Sequence, residues 1–251
     1  MTTTALITGA NKGIGHETAR QLAARDSTVL VGARDPERGR AAAEKLVAGG
    51  ADARFVRLDV TDERTVAQAA EYIGAEFGKL DILVNNAAIT GEPEGDGKAS
   101  ATTLGMLRKV YETNVFGVVA VTNAMLPLLR AAAAARIVNV SSEVGSIALT
   151  FDPQSPMWQL GAIPYPSSKS ALNMITTLYA KELWDTPIKV NAANPGYTAT
   201  DLNGHTGFRT PEQGAEPVVH LATLPADGPT GQLWGYRWGA TDGDEYGVLP
   251  W

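Results

Sequence analysis

The sequence predicts an α/β fold: a doubly wound parallel sheet of about seven strands with helices on both faces, in a single domain. Short apolar runs rich in Val, Ile and Leu alternate along the chain with longer amphipathic stretches. Nearly continuously apolar strands that alternate with helices are typical of a parallel sheet covered on both sides. Right-handed crossovers then make the sheet doubly wound. The 251 residues suffice to bury one full core.

Seven apolar runs have the length and composition of strands. In chain order they are TALIT (4–8), TVLVGA (28–33), RFVRL (54–58), DILVNN (81–86), RIVNVS (136–141), IKVNAA (188–193) and GQLW (231–234). Helical patterns fill most of the intervals between them. These helices are predicted at 13–25, 36–48, 62–77, 101–130, 166–184 and 211–223.

Three irregular segments rich in Gly and Pro, at 88–100, 143–164 and 196–210, each follow a predicted strand. They therefore belong at the carboxyl edge of the sheet, where open α/β sheets bind ligands.

Composition excludes several classes of function. The net charge of −6 argues against nucleic acid or an anionic membrane as partner, because both bind basic surfaces. The chain has no cysteine, so a disulfide, a thiolate metal site and a cysteine nucleophile are all excluded, and we predict no metal site. The first residues do not resemble a signal peptide, and we expect no apolar run of membrane-spanning length. A cytoplasmic location is the default expectation.

A glycine-rich loop, TGANKGIG (8–15), follows the first strand. It reads G-x-x-x-G-x-G, with Gly9, Gly13 and Gly15, rather than the G-x-G-x-x-G dinucleotide fingerprint. Glycines permit a tight turn and let the backbone approach a pyrophosphate at a helix N-terminus. They also serve in ordinary strand-to-helix turns. The position of the loop before an amphipathic helix favours a dinucleotide site.

The stretch IPYPSSKSAL (163–172) places Tyr165 between two prolines and puts Lys169 four residues later. One interpretation is a capped helix start, since Pro is favoured at the first helical position and restricts the residue before it. The other is chemical, because an ammonium group one helical turn away lowers the pKa of a phenol and makes it usable as an acid or base. The rest of the chain has to decide between the two.

Seven motifs, taken in order, resemble the short-chain dehydrogenase/reductase family, and most of all its carbonyl-reductase-like, NADPH-dependent members. The resemblance covers nearly the whole chain and implies a Rossmann-type fold. The motifs are TGANKGIG (8–15), LDV (58–60), NNAA (85–88), TNVFG (113–117), IVNVSSEVG (137–145), YPSSK (165–169) and NPGYTAT (194–200). One departure is Ala88, which replaces the family's usual glycine and adds a methyl group near the expected cofactor.

The family's catalytic tetrad maps onto Asn114, Ser142, Tyr165 and Lys169. The resemblance implies a reductase in which NADPH gives hydride to the carbonyl carbon of a ketone, aldehyde or quinone, with Tyr165 as general acid. Ser142 then stabilises the carbonyl oxygen. Lys169 lowers the pKa of the tyrosine and holds the nicotinamide ribose, and Asn114 positions a water. Taken singly, Ser142 has the alternative of a turn residue and Asn114 that of a core helix residue.

The second strand end distinguishes NADP from NAD. An NAD site needs an acid there, and Asp35 is the acid present. Because Asp35 precedes Pro36, it looks like a helix N-cap instead. Arg34, Lys12 and Arg38 are then cations available for a 2′-phosphate, which Arg grips bidentately. The alternative is that Arg34 and Lys12 are solvated surface charges.

The resemblance implies further NADP(H) contacts. Asp59 and Val60 follow the third strand, and Asp59 is expected to meet the adenine. Thr198 and Thr200 also have the alternative of loop-capping residues. The full predicted cofactor set is Gly9, Asn11, Lys12, Gly13, Ile14, Gly15, Arg34, Asp59, Val60, Asn86, Ala87, Tyr165, Lys169, Pro195, Gly196, Thr198 and Thr200.

The predicted substrate residues are Ser142, Trp158 and Tyr197, in a mostly apolar pocket for a small molecule. Its wall is expected to include Val144, Ile147, Trp158, Tyr197 and Leu202, with either Trp234 or Trp238 as a further member. The interval between Ser142 and Tyr165 is longer than the family's common form, so 143–164 is read as an insertion on the substrate side. It is interpreted either as a partial lid or as a loop that its large apolar side chains, such as Met157, pin to the body.

Other functions remain as alternatives. A non-catalytic NADP sensor on the same fold is the main one, although such relatives typically lose the Tyr/Lys pair. A nucleotide-sugar epimerase would need a larger C-terminal domain than the chain after 196 provides. Helices 101–130 and 166–184 are apolar around much of their circumference, so they are deeply buried or form an interface. The sequence leaves a homodimer and a monomer both open.

Overall fold

A single eight-stranded sheet organises the molecule in a computed structural model that describes residues 2–91, 97–239 and 245–251. Its spatial order is β3-β2-β1-β4-β5-β6-β7-β8, with every pair parallel except β7 and β8. The doubly wound α/β class predicted from the sequence is confirmed. The strands are β1 (Thr3–Thr8), β2 (Ser27–Ala33), β3 (Ala53–Arg57), β4 (Ile82–Asn85), β5 (Arg136–Val140), β6 (Lys189–Asn194), β7 (Leu233–Tyr236) and β8 (Tyr246–Leu249).

The helices follow the predicted alternation. They are α1 (Gly13–Ala23), α2 (Pro36–Ala48), α3 (Glu63–Phe77), α4 (Leu104–Tyr111), α5 (Gly117–Ala131), α6 (Ile147–Thr150), α7 (Pro164–Glu182) and α8 (Pro211–Ala222). A π-helical segment, Glu112–Phe116, joins α4 to α5, so the single helix expected at 101–130 has three parts. Before α7 begins, the insertion holds α6 and two 3₁₀ turns, Glu143–Gly145 and Pro156–Gln159, and such short elements suit a segment rich in Gly and Pro. Part of the predicted loop 88–100, residues 92–96, lies outside the described residues.

Side chains of successive strand residues pack alternately into two separate hydrophobic layers, one on each face of the sheet. On β1, Ile7 packs with Leu22 of α1 on one face, while Leu6 packs with Ile73 of α3 and Met125 of α5 on the other. All five side chains are completely buried. Burial of each such side chain stabilises the fold by roughly 1.5–3 kcal/mol. The carboxyl edge of the sheet is therefore held from both sides.

The eighth strand, β8, is absent from the sequence prediction. It has only four residues, includes Gly247, and pairs with β7 alone at the edge of the sheet. Its residues are mostly half-exposed or exposed, so it lacks the continuous apolar run that identifies the central strands.

The continuous helical run Leu104–Ala131 is long and apolar enough, by length and composition, to span a membrane. The expectation that no part of the chain has this property is therefore wrong. The run packs in the core through Val121, Met125 and Leu129, which are completely buried. Length and composition alone do not distinguish a core helix from a membrane span.

The apolar surface that the sequence assigned to the two long helices is partly buried and partly exposed. Leu172 of α7 is buried, whereas Met174 and Leu178 of the same helix are more than half exposed. Phe116 of the π-helical segment is also more than half exposed. Core packing is therefore confirmed for one face of these helices, whereas an interface on the exposed face and the homodimer both stay predictions.

Candidate active site

The predicted catalytic tyrosine and serine meet at the carboxyl edge of the sheet. Ser142 lies just after β5, and Tyr165 lies in the first turn of α7, which begins at Pro164. The hydroxyl of Tyr165 is hydrogen-bonded to Ser142. Lys169, one turn further along α7, has its Nζ 5.4 Å from the centre of the Tyr165 ring. The helix-start interpretation of Tyr165 is confirmed, because α7 begins at Pro164. The structure also places Lys169 next to the Tyr165 ring, and the acid–base role of the pair stays a prediction.

Asn114 connects to the same site through a residue that sequence reasoning missed. It lies in the π-helical segment and is buried, and such segments recur at functional sites. Its Oδ1 accepts from the N–H of Ile89 at 2.9 Å, and its Nδ2 donates to the Ile89 carbonyl at 2.8 Å and to Oγ of Ser168 at 3.0 Å. The Ser168 hydroxyl in turn donates to the Tyr165 carbonyl at 2.7 Å. Asn114 is thus linked to the backbone of the tyrosine.

Burial sets the electrostatics of the Tyr165–Lys169 pair. It raises the pKa of Tyr165 to about 12, and the hydrogen bond to Ser142 only partly opposes this shift. Burial also lowers the pKa of Lys169 to about 7. The expectation that the pKa of Tyr165 lies below its ordinary value is therefore wrong for the protein without cofactor, because burial is the largest influence on that pKa. The Lys169 ammonium donates to the Val140 carbonyl at 2.7 Å.

The glycine loop forms a cradle that only glycine fits. Gly9 and Gly13 have φ values of +65° and +58°, which side chains rarely adopt. A Cβ on Gly15 would lie 2.4 Å from Nδ2 of Asn86. Helix α1 starts without a side-chain cap and without an acid in its first turn, so its first N–H groups suit an anion. These residues fit the pyrophosphate of a dinucleotide.

At the end of β2 the acid and the cation have different roles. Asp35 caps α2, because its Oδ1 accepts from two first-turn backbone N–H groups at 3.0 and 3.1 Å. The N-cap interpretation is confirmed. Arg34 is exposed and has no hydrogen bond or ion pair within residues 2–91, 97–239 and 245–251. Lys12, by contrast, pairs with Asp201 at 2.6 Å, which the sequence did not predict.

The other predicted cofactor residues follow the ends of neighbouring strands. The Oδ1 of Asp59 accepts from the backbone and hydroxyl of Thr61. Thr200 caps a 3₁₀ turn, Asp201–Asn203, as the capping alternative predicted. A cavity of about 420 Å³ lies between Gly13 and this loop. In chain order the set comprises Gly9, Asn11, Lys12, Gly13, Ile14 and Gly15 after β1, Arg34 after β2, Asp59 and Val60 after β3, Asn86 and Ala87 after β4, and Pro195, Gly196, Thr198 and Thr200 after β6.

Three rings form an aromatic cluster beside the end of β6: Tyr197, Phe208 and Trp238. Tyr197 stacks on Trp238 with 6.4 Å between ring centres, and Phe208 meets Trp238 edge-on at 5.1 Å. Phe208 was missed because its loop position carries no motif. Trp234, predicted with them, has its ring contacts elsewhere: it stacks on His220 of α8 at 4.1 Å.

The insertion is anchored by Met157, which is buried, while its neighbour Trp158 is 44% exposed and packs on Phe151. Trp158 and Tyr197, the two predicted aromatic substrate residues, share no ring contact in the described part of the chain. The insertion also borders a cavity of about 320 Å³ beside the first turns of α7. Its lining includes Val144, Ile147, Phe151, Ile163, Pro166 and Ser170.

Glu143 is a buried acid directly after Ser142, with only 5% of its surface exposed. Burial raises its pKa to about 7, and hydrogen bonds from the Trp238 backbone and the Asn194 side chain partly oppose this shift. No sequence signal marked this residue, because its burial depends on segments around Asn194 and Trp238, which lie 51 (194 − 143) and 95 (238 − 143) residues further along the chain.

Glu143→Gln is expected to remove a pH-dependent loss of stability. The folded-state pKa of Glu143, about 7, exceeds its unfolded value of 4.5. Between these two pKa values the carboxyl group is protonated in the folded protein and ionised in the unfolded chain. The free energy of unfolding therefore falls as pH rises from 4.5 towards about 7, by about 3 kcal/mol in total. Urea unfolding at pH 5 and pH 8 measures this. Relative to the wild type, Glu143→Gln should have a higher free energy of unfolding at pH 8 than at pH 5, whereas the exposed-acid control Glu44→Gln should show no such change. The same change in stability between the two pH values for Glu143→Gln and wild type would contradict the assignment.

Known proteins are similar to this chain over most of its length. The model of the short chain dehydrogenase family matches residues 3–208. A short-chain dehydrogenase of Penicillium roqueforti is 39% identical over 226 residues, 87% of either chain. Carbonyl reductase (NADPH) 1 of Bos taurus is 33% identical over 268 residues, 91% of this chain and 94% of its own. The solved structure of NADPH-bound carbonyl reductase from chicken fatty liver is 29% identical, with a TM-score of 0.83 over 100% of this chain and 99% of that one.

Proposed function

This chain belongs to the short-chain dehydrogenase family of oxidoreductases, which bind nicotinamide cofactors, and we propose that it is an NADPH-dependent reductase of ketones, aldehydes or quinones. The observation that carries the proposal is the hydrogen bond between Tyr165 and Ser142, with Lys169 beside the tyrosine ring. These groups lie at the same sheet edge as the glycine cradle. Small carbonyl compounds or alcohols are then the partners, and a cytoplasmic location stays an expectation.

The protein supplies the proton and the charge stabilisation. Tyr165 keeps its proton at neutral pH, because burial raises its pKa to about 12, so it is in the form that a general acid requires. It donates that proton to the carbonyl oxygen, and Ser142 donates a hydrogen bond to the same oxygen as charge develops. When bound, reduced nicotinamide supplies the hydride for the carbonyl carbon.

Lys169 stabilises the tyrosine after the proton has left. A buried phenolate is costly unless a cation lies near it, and the Lys169 ammonium is the nearby cation. Asn114 and Ser168 fix the Tyr165 backbone by the hydrogen bonds described above. A water held by Asn114, and a contact of Lys169 with the nicotinamide ribose, remain proposals drawn from the family.

Several features support NADPH over NADH. Asp35 is engaged as a helix cap, which leaves its Oδ1 unavailable to ribose hydroxyls. Arg34 stands next to it, exposed and ready to bind a 2′-phosphate. Lys12 reaches the phosphate only by leaving Asp201. Two of the relatives are described by name as NADPH proteins, which agrees with this preference.

A carbonyl panel distinguishes the reductase from an NADP sensor. The purified protein is incubated with NADPH and with ketones, aldehydes and quinones, and consumption of NADPH and formation of alcohol are measured. We expect turnover with at least one class of carbonyl compound. Tight NADPH binding without consumption for every class would favour the sensor.

The pH dependence of kcat/KM for NADPH is expected to report Lys169. This ratio reflects groups of the free enzyme, and the pKa of Lys169 there is about 7. Loss of the ammonium above that value removes the charge that stabilises the phenolate, so kcat/KM falls by up to about tenfold per pH unit. Glu143 titrates in the same range, so the profile is repeated with Glu143→Gln. A profile that rises or stays flat in both proteins would contradict the role of Lys169.

A further inference from the structure

Asn194, at the end of β6, joins three segments that surround the proposed catalytic serine. It is completely buried. Its Oδ1 accepts from the N–H of Glu143 at 3.0 Å and from the N–H of Gly196 at 3.3 Å. Its Nδ2 donates to the Tyr236 carbonyl at 2.6 Å. The turn after Ser142, the loop after β6 and the end of β7 are therefore tied to one side chain.

The carboxyl group of Glu143 adds a second tie between the same segments. It accepts from the backbone N–H of Trp238 and from the Asn194 side chain. Because Glu143 directly follows Ser142, this contact joins the serine turn to the segment that carries the Trp238 ring. A carboxyl group is rarely this deeply buried, and it stays here because neutral hydrogen-bond donors meet it.

Trp238, whose backbone Glu143 contacts, is also a member of the aromatic cluster. Trp238 contacts both other members of the cluster, stacking on Tyr197 and meeting Phe208 edge-on. All three rings keep between 39% and 53% of their surface exposed, so they present aromatic faces to a ligand. Tyr197 follows β6, and the neighbouring strand β5 is the one that Ser142 follows. The cluster therefore lies on the β6 side of the catalytic serine.

We propose that Glu143 is a positioning residue that makes the enzyme prefer flat aromatic carbonyl compounds. Its carboxyl group fixes the Trp238 backbone relative to Ser142, and so fixes the aromatic cluster at a set distance from the carbonyl oxygen. A flat aryl group stacks on the cluster, whereas a small alkyl group gains little from it. This inference rests on the proposed reductase activity.

The test compares acetophenone with acetone as carbonyl substrates. Glu143→Ala is expected to reduce kcat/KM for acetophenone by about tenfold more than for acetone, mainly through KM, because a displaced ring weakens binding of the aryl group. Glu143→Gln keeps an acceptor oxygen for the Trp238 N–H, and it should restore the ratio to within about twofold of the wild type. Equal losses for both ketones in Glu143→Ala, or no restoration in Glu143→Gln, would overturn the proposal.

A double-mutant cycle shows whether Glu143 acts through Trp238. Trp238→Leu should lower the acetophenone preference by itself, and adding Glu143→Ala should cause no further loss, since residues that act through one contact are not additive. Fully additive losses would mean that Glu143 acts elsewhere. If Glu143→Ala folds poorly, the cycle is run with Glu143→Leu, which keeps side-chain volume and removes the acceptor.

Near-ultraviolet circular dichroism separates this inference from the proposed function. The signal of the stacked Tyr197–Trp238 pair is the difference between wild type and Trp238→Phe. The same difference is then measured in each Glu143 variant, with and without Trp238→Phe, in the absence of any substrate. It should be lost in Glu143→Ala and kept in Glu143→Gln. A wild type that reduces no carbonyl would defeat the proposed function alone, whereas an unchanged difference signal in Glu143→Ala would defeat the positioning role of Glu143.

Discussion

Tyr165→Phe is expected to lower kcat by roughly a hundred- to ten-thousandfold, which is the contribution of a positioned general acid. The substitution removes only the hydroxyl that carries the transferred proton and that bonds to Ser142. The ring, its contact with Lys169 and the glycine cradle all stay in place. NADPH affinity, measured by fluorescence titration, should therefore change little while turnover is lost.

Tyr179→Phe is the matched control, because Tyr179 lies on the same helix, α7, and donates its hydroxyl to Asn123 at 2.7 Å. It should turn over like the wild type. Near-wild-type turnover by Tyr165→Phe would remove the tyrosine from the reaction. A similar loss in both variants would point to a general effect on helix α7.

Arg34→Ala is expected to weaken NADPH binding by about ten- to a hundredfold, since a hydrogen bond to a charged group contributes roughly 1.5–3 kcal/mol. Affinity for NADH should hardly change, because that cofactor lacks the 2′-phosphate. The wild type should accordingly prefer NADPH. Binding constants and kcat/KM for both cofactors measure the effect.

The control for charge alone is Arg130→Ala, which removes a remote surface cation that pairs with Glu182 at 3.1 Å. It should leave both cofactors unaffected. Equal efficiency of the wild type with NADH and NADPH would rule out the 2′-phosphate role of Arg34. The same would follow if Arg34→Ala weakened both cofactors alike.

Local patterns in the sequence predicted most of the fold and the core of the site. The central strands are apolar on both faces, so their runs stand out, and their order along the chain fixes which residues reach the carboxyl edge. Tyr165 and Lys169 are four apart, a spacing that a helix converts directly into neighbours. The cap role of Asp35 was equally local, because it depends only on the proline that follows.

Features that depend on contacts distant in sequence were missed. Lys12 and Asp201 are 189 residues apart, and no motif links them. Glu143 looks like a solvated turn acid until the folded chain brings Trp238 over it. The pKa of Tyr165 was expected to fall, because a neighbouring lysine is visible in the sequence and the extent of burial is not.

The most direct test of the central claim uses NADPH that carries deuterium at the transferred C4 position. The protein is incubated with this cofactor and a carbonyl substrate from the panel, and the alcohol product is analysed by mass spectrometry and NMR. The reductase assignment predicts one deuterium on the carbinol carbon of the product, with transfer abolished in Tyr165→Phe. Formation of alcohol without deuterium at that carbon, or intact labelled NADPH with every carbonyl compound tested, would contradict it.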